Sequence, residues 1–204
     1  MRDGHPVVHV SHTDAIAFCT WLARWEDRPA RSKLTKPTRN RLELPVYDLP
    51  TEAQWEWAAR AGSGSRYWWG KDDDTTGKVI NAGDRSLKRI HPELPRKIMP
   101  MDDRHAFPAP VGSYRDNAFG LHDMLGNVWE WVEDDWRDSF TGAPIDGSAR
   151  HVDGAMTKII RGGSWGNSSV PHHCSSSARY NSAPTNAGPE FGFRVILLLK
   201  DVSP

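Results

Sequence analysis

Cysteine is scarce in this chain. Two residues, Cys19 and Cys174, stand in 204, too few for a disulfide framework. Net charge is missing as well: 26 basic residues cancel 26 acidic ones, so no long-range field draws the protein to nucleic acid or an anionic membrane. A protein, peptide or small-molecule ligand is the default partner. No apolar run approaches the ~20 residues that span a bilayer, and Met1-Arg-Asp-Gly-His is not followed by the apolar core of a signal peptide. The chain as given is expected to be soluble and unexported, cytoplasmic by default.

What is abundant is tryptophan, with 10 residues, beside 17 glycines and 15 prolines. Many bulky anchors among many turns point to an irregular, loop-rich domain, and no internal period suggests a repeat array. The length suffices for a substantial core, so a stapled mini-protein is excluded, and an apolar content in the usual globular range argues against disorder.

Ser11-His-Thr-Asp14 reads as a capping box opening a helix whose buried face is Ala15, Cys19, Leu22 and Trp25, ending near Asp27. Cys19 on that face is a small core hydrophobe. Residues from Arg28 to Asp48, punctuated by Pro29, Pro37 and Pro45, are expected to form an exposed basic loop. Thr51 and Gln54 make a second capping box for a helix from Glu52 to Ala61, with Trp55, Ala58 and Ala59 inward and Gly62 past its end. Arg66 to Met101 is turn-like around the apolar knot Tyr67 to Gly70. Asp102 to Trp136 should hold short strands and tight turns, and Phe191 to Leu199 a closing strand.

Five segments carry a family signature: PVVHVSHTDAIAFCTWL (6–22), LPTEAQWEWAARAG (49–62), APVGSYRDNAFGLHDMLGNVWEW (109–131), IIRGGSWGN (159–167) and ARYNSAPTNAGPEFGFRV (178–195). In this order they resemble the sulfatase-modifying-factor, or formylglycine-generating enzyme, family. The resemblance implies an α+β, C-type-lectin-like fold with two helices, a small twisted antiparallel sheet and much irregular chain. It implies one domain over residues 1–204 that begins close to the PVVHVS segment, without the strand and loop that usually precede it; a partner chain at this N-terminal edge is one way to supply the missing strand.

The resemblance also implies structural calcium, a hard cation suited to oxygen ligands that tie loops together. One site maps to the side chains of Asp123 and Glu130 with the carbonyls of Gly126 and Val128. A second maps to Asn81, Ala82, Asp103 and His105. The bland reading of these acids is that they cap turns or pair with nearby arginines.

The family activity, oxidation of a substrate cysteine to an aldehyde, uses copper held by two cysteines just after the RGGS segment. Soft thiolates are what Cu(I) requires. Aligned forward from Arg161 to Trp165, the two positions fall on Asn167 and His172; aligned backward from Arg179, Pro184 and Phe191-Gly-Phe-Arg194, they fall on Gly166 and Pro171. Neither alignment meets a cysteine, so copper is not expected and no catalytic residue is assigned.

The segment from Gly166 to Pro189 instead reads as a paratope of adaptable hydrogen bonders with an aromatic. Candidate ligand contacts are Trp165, Asn167, Ser168, His172, His173 and Ser175. Further along they are Ser177, Tyr180, Asn181, Asn186 and Glu190. The arrangement is similar to the variable proteins of diversity-generating retroelements, in which residues of this segment are randomised on a fixed scaffold. The alternative is an oxidoreductase of the family with a metal set around His172, His173 and Cys174, or with Glu190 as acid/base. A Ser–His–Asp hydrolase built on Ser164 or Ser168 lacks any sign of an oxyanion hole.

Overall fold

The computed structural model describes residues 4–25, 46–70, 78–94, 98–167 and 173–198. Its elements, in chain order, are α1 (His12–Trp25), β1 (Val46–Asp48), α2 (Glu52–Arg60), α3 (Arg85–Ile90), β2 (Trp129–Asp135), β3 (Lys158–Arg161), β4 (Arg179–Ser182), β5 (Phe191–Phe193) and β6 (Ile196–Leu198). Strands β4-β3-β2-β5 form one sheet and β1-β6 a second. No helix among the described residues is long and apolar enough to cross a membrane.

Both expected capping boxes form. The Asp14 amide donates to Ser11 Oγ at 3.1 Å, and the Ser11 amide donates to Asp14 Oδ2 at 2.9 Å. At α2, Thr51 and Gln54 exchange the same pair of bonds. Each box satisfies N–H groups that the first helical turn leaves without carbonyls. Helix α2 ends at Ala61, itself left-handed at φ 46°, with Gly62 following at φ 86°.

Five expectations need correction. The inward face of α1 is His12, Ala15, Cys19 and Ala23, four positions within an arc of about 80° on the helix wheel, whereas Trp25 falls about 120° from the centre of that arc; Leu22 is half-buried, and Trp25 is 75% exposed on the far side. A third helix, α3, lies in the segment read as turns; Asp84 caps it by accepting from the Ser86 amide at 2.7 Å. The closing strand is two strands, parted at Arg194 and Val195, that serve different sheets. The main sheet is mixed rather than antiparallel, since β5 runs parallel to β2. Residues 46–48, assigned to the basic loop, form β1; the rest of that loop and Leu199 lie outside the described residues.

Strand alternation sorts the core into two layers. From β2 and β3, Trp129, Trp131 and Ile160 face α1 and pack with Ala15, Cys19 and Leu49. Val132 and Ile159 face the other way, toward Trp55 and Ala59 of α2, Tyr67, Ile80 and Cys174. One rung on this second face is charged: Arg161 pairs with Glu130 in the ladder and with Arg179 on the other side. Arg161 is fully buried, with Nη2 2.6 Å from Glu56 and Nη1 3.3 Å from Glu52, while Arg179 Nε lies 2.6 Å from Glu52. Buried guanidinium groups require such partners. Glu52, the acid in the first turn of α2, is thus also the counter-charge that fastens α2 to the sheet.

Candidate functional site

Register builds a cavity on the α1-facing side of the sheet. Ile160 stands opposite Tyr180, and Trp129 opposite Phe191, so these four side chains form a floor and wall. The cavity measures about 540 Å³. The indole of Trp129 lies 5.6 Å from the Tyr180 ring, and the His173 imidazole stands edge-on to both, at 6.4 and 6.0 Å.

The polar rim comes from the 166–190 segment. Asn167, His173, Tyr180, Asn181, Asn186 and Glu190 all border the cavity, six of the eleven candidates. Trp165 packs against Phe107 instead, 5.2 Å between rings. Ser175 is buried, and Ser177 is exposed, its carbonyl 3.4 Å from Arg161 Nη1. Ser168 and His172 lie outside the described residues. The stretch read as loop contains β4, which holds Tyr180 and Asn181 in place.

Glu190 is fixed from two sides. Its carbonyl accepts from the Trp129 amide at 2.8 Å, and its Oε2 accepts from Ser164 Oγ. Gly166 makes this possible: a Cβ there would stand 2.6 Å from Glu190 Oε1. Ser164 is in turn anchored by its amide, which donates to Asn167 Oδ1 at 2.7 Å.

The cysteines are placed apart. Cys174 lies beneath the Gly162-Gly163 turn, where both glycines have positive φ and a Cβ on Gly163 would meet Cys174 Sγ at 2.3 Å. Burial pushes its thiol up to about 12, which keeps it protonated and unreactive. Cys19 belongs to the other core layer, and burial, then Asp48, pushes it up to about 12 as well.

The calcium candidates form two clusters. In one, Asp103 accepts from the Ala82 amide at 3.1 Å and the His105 amide at 2.8 Å, and Asn81 Oδ1 is buried with no hydrogen-bond partner among the described residues. Burial, with Asp84 nearby, pushes Asp103 up to about 7. In the other, Asp123 sits at φ 56° with Oδ2 accepting from the Gly112 amide at 2.8 Å, while Oδ1 is buried and unpartnered; burial raises its pKa. A buried acceptor without a donor calls for a partner such as a water or an ion. Glu130 differs, because Arg194 and the Trp55 indole occupy its oxygens. The clusters touch: the Asn127 amide donates to the Asn81 carbonyl at 2.9 Å.

Sequence reasoning missed Trp129, Ile160, Ser182 and Phe191 as cavity residues. A signal existed for Trp129. Period-two alternation in GNVWEW puts it on the face opposite Glu130, so the two neighbours serve different sites.

A family model described as "Sulfatase-modifying factor enzyme 1-like domain" matches residues 1–199. A formylglycine-generating enzyme of Streptomyces coelicolor is 31% identical over 195 residues, covering 95% of this chain and 52% of that enzyme. The chain thus spans about half the length of the curated relatives it matches. Among solved structures, PvdO from Pseudomonas aeruginosa is 32% identical, with a TM-score of 0.73 over 94% of this chain and 61% of that one. Treponema denticola variable protein 1 superposes with a TM-score of 0.72 at 24% identity, over 96% of this chain and 72% of the other, a likeness of fold.

Proposed function

Because the chain belongs to the sulfatase-modifying factor enzyme 1-like family, we propose that it is a ligand-binding domain of that family, gripping its ligand in the cavity between β4 and the 186–191 turn. Its fold is the family's C-type-lectin-like α+β architecture. The observation that carries the proposal is the convergence of Asn167, His173, Tyr180, Asn181, Asn186 and Glu190 on one cavity floored by Trp129, Ile160 and Phe191. An apolar floor with a few polar groups at the rim is the usual form of a small-ligand site.

The residues present do not suit copper. A Cu(I) centre wants two soft thiolates, and the chain's two cysteines lie in separate core layers, both held protonated by burial. The alternative metal set of His172, His173 and Cys174 gains nothing from the geometry, since Cys174 is sealed beneath Gly163 and His172 lies outside the described residues. Calcium suits the chain better: Asn81, Ala82, Asp103 and His105 would hold one ion, and Asp123, Gly126, Val128 and Glu130 a second. Bound there, calcium would tie the 78–82, 101–105 and 123–130 segments together.

The test has two arms. Amide and indole NMR shifts of the protein are followed against a library of short peptides and polar small molecules, and hits should cluster on Trp129, His173, Tyr180 and Asn186. Separately, a cysteine-bearing peptide is incubated with the protein, copper(I) and oxygen, and no aldehyde should form. Aldehyde production, or hits that consistently avoid the cavity, would sink the reading.

A further inference from the structure

Glu190 is the carboxylate of the cavity, and among the described residues no Lys or Arg borders it. Residues 166–178 contain no Lys or Arg. The arginines that flank this segment in sequence are committed elsewhere, Arg179 to Glu52 and Arg194 to Glu130. Among the described residues, the Glu190 carboxylate has a hydroxyl donor, Ser164, and no basic partner. Beside it stands the wall of Trp129 and Tyr180, rings whose faces attract cations.

These features select among cations. A guanidinium is best held by two carboxylate oxygens at once, whereas Oε2 of Glu190 already accepts from Ser164, leaving Oε1 for a ligand. A compact ammonium needs one oxygen, and Asn181 and Asn186, which border the same cavity, carry amide oxygens that accept N–H donors. Its alkyl stem has apolar surface to lie on.

We infer that the cavity takes a ligand bearing a protonated alkylamine of the lysine side-chain type, with the ammonium on Glu190 and the methylenes along Trp129 and Tyr180. This rests on the reading of the cavity as the ligand site.

The full chain is titrated with Nα-acetyl-lysine N-methylamide, its Nε-acetylated form and the corresponding glutamate derivative, by NMR and calorimetry. The lysine probe should bind and shift the Trp129 and Tyr180 signals, and Nε-acetylation should weaken it about tenfold. Glu190→Gln should abolish that difference without weakening the acetylated probe. Tyr180→Ala, at a half-exposed position, should weaken the lysine probe as well, with the dispersion of the amide spectrum checking that the variant is folded. If the acetylated or glutamate probe binds the cavity as tightly as the lysine probe, the amine assignment is overturned while the binding site stands. If no probe moves the cavity signals, the amine assignment falls, and the site itself is decided by the peptide and small-molecule library.

Discussion

The guanidinium of Arg194 closes on both oxygens of Glu130, with Nε–Oε2 and Nη2–Oε1 each 2.6 Å, while the Trp55 indole donates to Oε2 at 2.6 Å. Glu130 is buried, so this arginine is its counter-charge, and the proposed calcium would share that role. Arg194→Ala should therefore cost about 3 kcal/mol in calcium-free buffer, the usual effect of orphaning a buried charge, and millimolar calcium should restore part of it. Urea denaturation with and without calcium reads both effects. A variant indifferent to calcium would remove Glu130 from the ligand set.

The other cluster predicts a response in the unmodified protein. A cation bound only to the folded state stabilises it by mass action, about 2.7 kcal/mol at a hundredfold excess over Kd. Chelator should lower the melting temperature by several degrees, and Asp103→Asn should blunt that drop. An unchanged melting curve in chelator argues against calcium at either cluster.

Gly126 has φ 81°, and a Cβ there would meet the Asn81 carbonyl oxygen at 2.3 Å and Ile80 Cγ1 at 2.4 Å. Backbone strain and a main-chain clash add at this position. Gly126→Ala should destabilise by about 3 kcal/mol, measured by chemical denaturation. A loss below ~1 kcal/mol would show that the two loops can separate at little cost.

His12 is buried edge-on to Trp131, 5.8 Å between rings, and its Nε2 has no hydrogen-bond partner among the described residues. Burial, and then Lys158, lowers its pKa from 6.5 to about 4. Between those values the unfolded chain takes up a proton that the folded chain refuses, so stability present at pH 7 is lost as pH falls from 6.5 toward 4. The loss from this group approaches about 3 kcal/mol. His12→Gln should flatten the slope of stability against pH in that window; an unaltered slope would assign the acid sensitivity to other groups.

Local signals were the readable part of the sequence. Ser11 with Asp14, and Thr51 with Gln54, fix helix starts through bonds between residues three apart, and both formed as expected. Trp25 misled because a large aromatic at a plausible spacing reads as core, whereas the helix turns it outward to lie 5.6 Å from Trp21. Helix α3 escaped notice because six residues offer too little periodicity, although Asp84 was a cap signal. The parallel pairing of Trp129 with Phe191 joins positions 62 residues apart, and no local pattern announces such a contact. That pairing sets the floor of the cavity, so the rim was legible from composition while the floor was not.

The turn carrying Asn186 is secured by its main chain: the His9 amide donates to the Gly188 carbonyl, the His12 amide to the Pro184 carbonyl and the Trp129 amide to the Glu190 carbonyl. None of these bonds depends on which side chains project from Thr185, Asn186 or Ala187. On the proposed reading, side chains at these three positions can be exchanged to change what is gripped while the main-chain frame that presents them stays the same.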